Sequence, residues 1–244
     1  MSYKFGLAAL ALTLILGLSG AGALQLQGYS FERDPRFDGR KITDDPESLD
    51  LVGGTVIQCA RACAQRQWCS SFFFTGNSSA CSLHETVFWL ASGSVGEESP
   101  GTRYYRVVAG WCPQRDGFVY SRAADMCVFI EWRYPQTATN NAHQECLAKG
   151  AGLASNFTPF KLDVLIDLLQ RNSLSSSYNF YIGMTRVRAT DAFEWMDGTP
   201  ADSLTSYWAD DEPGSSENCV VLKGAALYGE KCNALYYVCE ALKP

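Results

Sequence analysis

Apolar positions recur at helical spacing in three stretches of the chain, and elsewhere they gather into short runs bounded by turn residues. Between Thr55 and Arg66, Val56, Cys59, Ala60 and Cys63 fall at i, i+3, i+4 and i+7. With Thr55 as N-cap, the pattern predicts a helix that turns both cysteines toward whatever it covers. A second helix is expected from about Asn140 to Lys149, stopped by Gly150. A third begins with Thr158 as N-cap and Pro159 at the first helical position, and carries Phe160, Val164, Leu165, Leu168 and Leu169 as its apolar stripe.

The remaining apolar runs are too short for helices and are rich in aromatic and β-branched residues, so they read as strands. They cover 69–74, 81–83, 102–108, 118–120, 127–130, 180–184, 193–195, 219–222 and 236–239. The first two are expected to form a small sheet beneath the first helix. Helices and antiparallel strands mixed in this order define an α+β chain.

The N-terminus has a different pattern. Lys4 is followed by the apolar stretch Phe5 to Leu18 and then by Ser19-Gly20-Ala21-Gly22-Ala23, which supplies an A-x-A cleavage site before Leu24. Residues 1–23 therefore read as a signal peptide, with a retained signal-anchor as the competing reading. The expected protein is secreted, extracellular and free of membrane in its mature form.

Export gives meaning to the cysteines, which number ten, at 59, 63, 69, 81, 112, 127, 146, 219, 232 and 239. None forms a C-x-x-C pair, and only His84 and His143 are available as imidazole ligands, so disulfides are expected and zinc is not. The formal charge of −6 argues against nucleic acid, whose phosphates require clustered Lys and Arg. Asn77-Ser78-Ser79 and Asn156-Phe157-Thr158 are glycosylation acceptors, at Asn77 and Asn156.

The cysteines divide into four (59–81) and six (112–239), separated by the turn-rich stretch Ala91 to Gly101 and the strand 102–108. A boundary near Ala109-Gly110 gives two modules, 24–109 and 110–244, expected as separate globules. Four cysteines allow three pairings. A bridge between Cys59 and Cys63 has poor geometry within one helix, whereas nesting Cys59–Cys81 around Cys63–Cys69 staples the helix to two strands.

The first module resembles a PAN/apple domain in C-A-x-x-C at Cys59 to Cys63, C-x-x-F-x-F at Cys69 to Phe74 and C-x-L at Cys81 to Leu83. The resemblance covers about 28–108. It implies a helix on an antiparallel sheet, the nested pairing, and binding of proteins or glycans, with no catalytic residues.

The second module resembles a C-type lectin-like domain over about 111–242. Tyr181-Ile182-Gly183-Met184 stands for W-I-G-L, and Phe193 to Pro200 fits F-x-W-x-D-G-x-P. Trp208 precedes Glu212-Pro213 as in W-x-x-x-E-P, Glu217-Asn218-Cys219-Val220 fits E-x-C-V, and Val238-Cys239-Glu240 stands for V-C-E. The resemblance implies bridges Cys146–Cys239 and Cys219–Cys232, leaving Cys112–Cys127 to close an N-terminal hairpin. It also implies a cis bond before Pro213.

Sugar-binding members of that family hold the ligand through a calcium ion in the long loop. A hard cation of this kind wants six to eight oxygen ligands. The stretch Ala201 to Asn218 is rich in them, with Asp202, Asp210, Asp211, Glu212, Glu217 and Asn218. The resemblance places Glu212 and Glu217 on calcium- and sugar-binding positions, with Glu230 as a third metal ligand. The pattern then fails. Gly214 stands where E-P-N has its asparagine, and Leu227-Tyr228-Gly229-Glu230-Lys231 replaces W-N-D.

Two functions follow. One is carbohydrate recognition with a degraded calcium motif, its partners glycans or glycoproteins and calcium its implied cofactor. The alternative is calcium-independent protein binding or matrix scaffolding. An enzyme is not expected, because no G-x-S-x-G or H-E-x-x-H occurs and no carboxylate pair is placed on a rigid scaffold. Trp195 and Trp208 read as core, His143 as a helix-surface residue, and Asp197-Gly198 as a turn.

Overall fold

The computed structural model describes residues 24–26, 28–42, 49–90, 96–113, 117–136, 139–175, 177–186, 192–214, 216–232 and 235–243. The expected signal peptide, 1–23, lies outside the described residues. Among the described residues no helix is long and apolar enough to cross a membrane.

The first half of the chain contains β1 (Leu24–Leu26), β2 (Tyr29–Arg33), β3 (Arg40–Lys41), β4 (Leu49–Val52), α1 (Val56–Ala64), β5 (Ser71–Thr75), β6 (Ala80–His84), β7 (Glu97–Glu98) and β8 (Thr102–Val108). The second contains β9 (Val119–Ser121), β10 (Met126–Gln136), α2 (Thr139–Ala148), β11 (Gly152–Leu153), α3 (Pro159–Arg171), β12 (Phe180–Thr185), β13 (Glu194–Trp195), β14 (Cys219–Lys223), β15 (Ala226–Glu230) and β16 (Leu235–Glu240). Strands β1, β2, β8, β5, β6 and β4 form one sheet in that order. The other follows β15-β14-β12-β16-β10-β9, with β11 joining β16 and β13 joining β12.

Helix α1 starts where its cap signal lies. Thr55 accepts from the Gln58 amide and the Gln58 side chain accepts from the Thr55 amide, closing a capping box that satisfies two otherwise open donors. Cys59, Ala60, Cys63 and Ala64 are buried against Phe72, Phe74 and Leu83 of the sheet below. Bridges Cys59–Cys81 and Cys63–Cys69 then tie the helix to β6 and to the entry of β5. Helix α3 likewise opens at Thr158, whose hydroxyl accepts from the Lys161 amide, with Pro159 at the first turn. Leu165, Leu168 and Leu169 enter the core, while Phe160 is 57% exposed and so leaves the stripe that its spacing suggested.

All five bridges join the residues expected, the remaining three being Cys112–Cys127, Cys146–Cys239 and Cys219–Cys232. Their Cα separations, 5.1 to 5.7 Å, are those of ordinary bridges. Among the described residues no cysteine is free. Five strands of the first half lay outside the sequence reading, β1 to β4 and the two-residue β7, because they are too short or too polar to register as apolar runs. In the second sheet β11 and β15 were missed for the same reason.

The two halves, each with its own large sheet and its own bridges, touch along a seam. After β6 the segment Glu85–Leu90 crosses the junction. Val87 and Trp89 enter the core of the second module, whereas Phe88 turns back onto Phe37, Phe73 and Tyr104 of the first. Adjacent residues of one short strap thus serve two cores. Asn172, just past α3, is 1% exposed and binds the strap's backbone. Its Oδ1 accepts from the Trp89 amide at 3.0 Å and the Leu90 amide at 3.4 Å, and its Nδ2 donates to the carbonyls of Val87 and Leu168.

A second contact comes from Arg122, at the tip of the hairpin β9–β10. Its guanidinium donates to the carbonyls of Cys63 at 3.0 Å, Ala64 at 3.0 Å and Cys69 at 3.4 Å, and lies 3.9 Å above the ring of Tyr29. A helix ends with open carbonyls and partial negative charge, and here the neighbouring module supplies the cation that meets them.

Candidate functional site

The long loop leaves the second module after the 3-10 turn Asp202–Tyr207 and returns at β14. Trp208 anchors its entry: it pairs with Leu227 of β15 and packs on Phe193 at a ring distance of 5.3 Å. The Ala209 amide donates to the Leu227 carbonyl, and Asp211, in the left-handed region at φ 63°, turns the chain toward Glu212. The bond between Glu212 and Pro213 is cis. Trp195, 4% exposed, is core.

The carboxylates expected to bind calcium are engaged within the protein. Oε2 of Glu212 accepts from the amides of Gly229 at 2.9 Å and Gly214 at 3.3 Å. The neighbouring Glu217 explains both glycines. A Cβ on Gly214 would collide with the Glu217 carboxylate, and one on Gly229 would lie 2.8 Å from Glu217 Cβ. The two positions where the family resemblance would put ligand side chains thus hold backbone pressed against glutamates. Glu217 accepts from the Ser216 hydroxyl at 2.8 Å and from the Ser216 amide at 3.2 Å. These bonds, the hydroxyl's first, together with the positive charge of Arg186, hold its carboxyl below the ordinary glutamate value. Glu230 faces Cys219 across the β14–β15 ladder, and its carboxylate accepts from the Lys231 amide.

Among the described residues no group of three or more His, Cys, Asp or Glu side chains is arranged to hold a metal ion. Glu212, Glu217 and Glu230 therefore do not form such a group here. With glycine at two ligand positions and one oxygen of Glu212 already taken by two amides, the residues present do not fit a calcium ion bound in the family's manner. Asp202, Asp210, Asp211 and Asn218 are exposed and give the loop an anionic outer face.

Sequence reading missed a cation in this region. Arg186, immediately after β12, donates from its amide to the Asn218 carbonyl at 3.0 Å and from Nε to the Glu217 carbonyl at 2.7 Å. Its Nη2 donates to the Gly214 carbonyl, and its guanidinium carbon lies 4.6 Å over the ring of Phe193. Backbone acceptors carry no sequence signature, so nothing in the pattern could have pointed to it.

A separate knot of polar groups sits at the start of α3. The Asn156 amide donates to Asp197 at 2.5 Å, and the Thr199 hydroxyl donates within the same cluster. The Thr199 amide first, then Asn156 and the Thr199 hydroxyl, hold the Asp197 carboxyl below its ordinary value. Asp197-Gly198 is thus a turn, as its composition suggested. Asn77 lies exposed at the tip between β5 and β6.

Residues 136–241 match the family model for the lectin C-type domain. Human tetranectin is 29% identical over 117 residues, which are 44% of this chain and 56% of that protein. Human C-type lectin domain family 4 member D is 28% identical over 108 residues, 39% of this chain and 48% of that protein. The chain thus spans about half the length of the curated relatives it matches. Among solved structures, the C-type lectin domain of murine dendritic cell inhibitory receptor 2, in complex with N-glycan, is 22% identical and has a TM-score of 0.46. That match covers 54% of this chain and 99% of the other. A calcium-independent type II antifreeze protein is 21% identical over 53% of this chain and 92% of that one, with a TM-score of 0.42.

Proposed function

We propose that the protein is an extracellular recognition molecule whose C-type lectin domain engages a protein or glycoprotein partner without calcium. The observation that carries this reading is the double use of Glu212: the carboxylate best placed by sequence to bind a metal is instead the acceptor for the Gly214 and Gly229 amides. Oε2 could turn to a metal only by leaving both amides without an acceptor, so Glu212 keeps one oxygen, Oε1, for coordination where glycine at 214 and 229 supplies none.

Carbohydrate binding is the second reading. It is favoured by the exposed oxygens of Asp210, Asp211 and Asn218, which suit sugar hydroxyls through hydrogen bonds alone. The first module is read as a PAN/apple domain acting as a further protein- or glycan-binding platform. Residues 1–23 are read as the segment that directs secretion, and Asn77, at an exposed turn, as the better placed of the two glycan acceptors.

The test is a glycan array and a panel of extracellular proteins probed with the full chain, with and without chelator. Binding that survives chelation supports the proposal, and the class of probe bound decides between the two readings. Binding abolished by chelator and restored by calcium overturns it.

A further inference from the structure

We propose that Arg186 is the internal cation that fixes the long loop of this lectin domain, in the role that calcium would otherwise take. The inference rests on the calcium-independent reading above and extends it by naming the positioning residue. Three carbonyls from the return half of the loop, those of Gly214, Glu217 and Asn218, converge on this one residue. A carbonyl oxygen is a hard, neutral donor of the kind that calcium coordinates. Here two of the three accept from a guanidinium, which satisfies them by charge-assisted hydrogen bonds of fixed direction.

The setting is built on both sides of the cation. Phe193 gives the guanidinium an aromatic face, and Phe193 is itself packed on Trp208 at the loop's entry. Arg186 therefore joins the end of β12 to both ends of the loop. Its bonds reach the backbone beside Glu212 and at Glu217. Gly214, whose carbonyl Arg186 binds, donates its amide to Glu212, the β14–β15 ladder brings the Gly229 amide to the same oxygen, and the Arg186 charge acts on Glu217. A divalent cation brought to Glu217 would meet the guanidinium's charge within the same cluster, so the loop is closed to calcium by the group that orders it.

Hydrogen exchange on the full chain tests this, read at residues 209–214, at Gly229 and, as an internal reference, at α3. In the natural protein the loop should exchange identically in chelator and in millimolar calcium. Arg186→Gln should speed loop exchange about tenfold or more, the scale of losing charge-assisted hydrogen bonds, with α3 unchanged. Arg186→Lys, which keeps the charge but not the fork, should fall between the two. Unchanged loop exchange in Arg186→Gln overturns the role of Arg186 and leaves the calcium-independent reading standing. Loop protection that rises with calcium in the natural protein overturns that reading itself. If Arg186→Gln also loosens α3, Arg186→Lys decides: loosening confined to the loop supports the role, and an unaltered loop overturns it.

Discussion

The side chain of Asn172 and the backbone of Trp89, both buried, meet at 3.0 Å across 83 residues of sequence. This amide takes the strap's two N–H groups on one side and donates to two carbonyls on the other, so all of its bonding capacity toward the junction is used. Replacing it with alanine would leave buried backbone groups without partners, at about 1–3 kcal/mol each before relaxation. Asn172→Ala is therefore expected to cost roughly 2–4 kcal/mol, which for a chain of this size is about 5–15 °C in Tm. A thermal melt checks it, and an unchanged Tm would show that the junction does not depend on this amide.

Arg122 couples the modules by a different device. Arg122→Met keeps the stem but removes the donors to the end of α1, and should cost about 1.5–3 kcal/mol in urea unfolding. Part of that cost should be shared with Tyr29, whose ring lies under the guanidinium. A double-mutant cycle with Tyr29→Leu should give a coupling of about 0.5–2 kcal/mol. Strict additivity would remove the stacking contribution.

Gly229 is expected to be intolerant of a side chain for a local reason. Gly229→Ala brings its methyl against Glu217 Cβ and should destabilise the protein by about 1 kcal/mol or more. In a Glu217→Gly background the obstruction is gone, and the same substitution should cost clearly less. Equal costs in both backgrounds would place the strain elsewhere.

The knot at Asp197 makes a pH-dependent contribution whose sign follows from its lowered pKa. The folded protein binds this proton less readily than the unfolded chain, so the contribution is present above the ordinary carboxylate pKa of about 3.9. It fades as pH falls further, toward the folded value. Asp197→Asn should therefore lower Tm at neutral pH, and the difference from the natural protein should shrink below about pH 4. A difference independent of pH would mean that the carboxylate's charge plays no part.

The parts of this structure that were legible in the sequence are those written locally or by a constrained pairing. Thr55 and Thr158 sit where a cap must sit, so helix starts could be read directly. Cys59 and Cys63 share a helix face that disfavours their own pairing, whereas the three bridges of the second module came from the family resemblance. The parts that were not legible depend on backbone partners far along the chain. Arg122, Asn172 and Arg186 all bind carbonyls or amides, which every residue carries, and Val87-Phe88-Trp89 is too short a run to announce that it serves two cores. At the loop the missing asparagine of E-P-N was visible as Gly214, but the reason for glycine, the Glu217 carboxylate beside it, required three dimensions.

The most direct test of a loop held without metal is a calcium titration of the thermal transition, starting from chelator-treated full-length protein. Ligand that binds only the folded state raises Tm by mass action, by about 2.7 kcal/mol of stability at a hundredfold excess over Kd. The expected result is a Tm that stays constant from chelator to millimolar calcium. A saturable rise in Tm with calcium would contradict it.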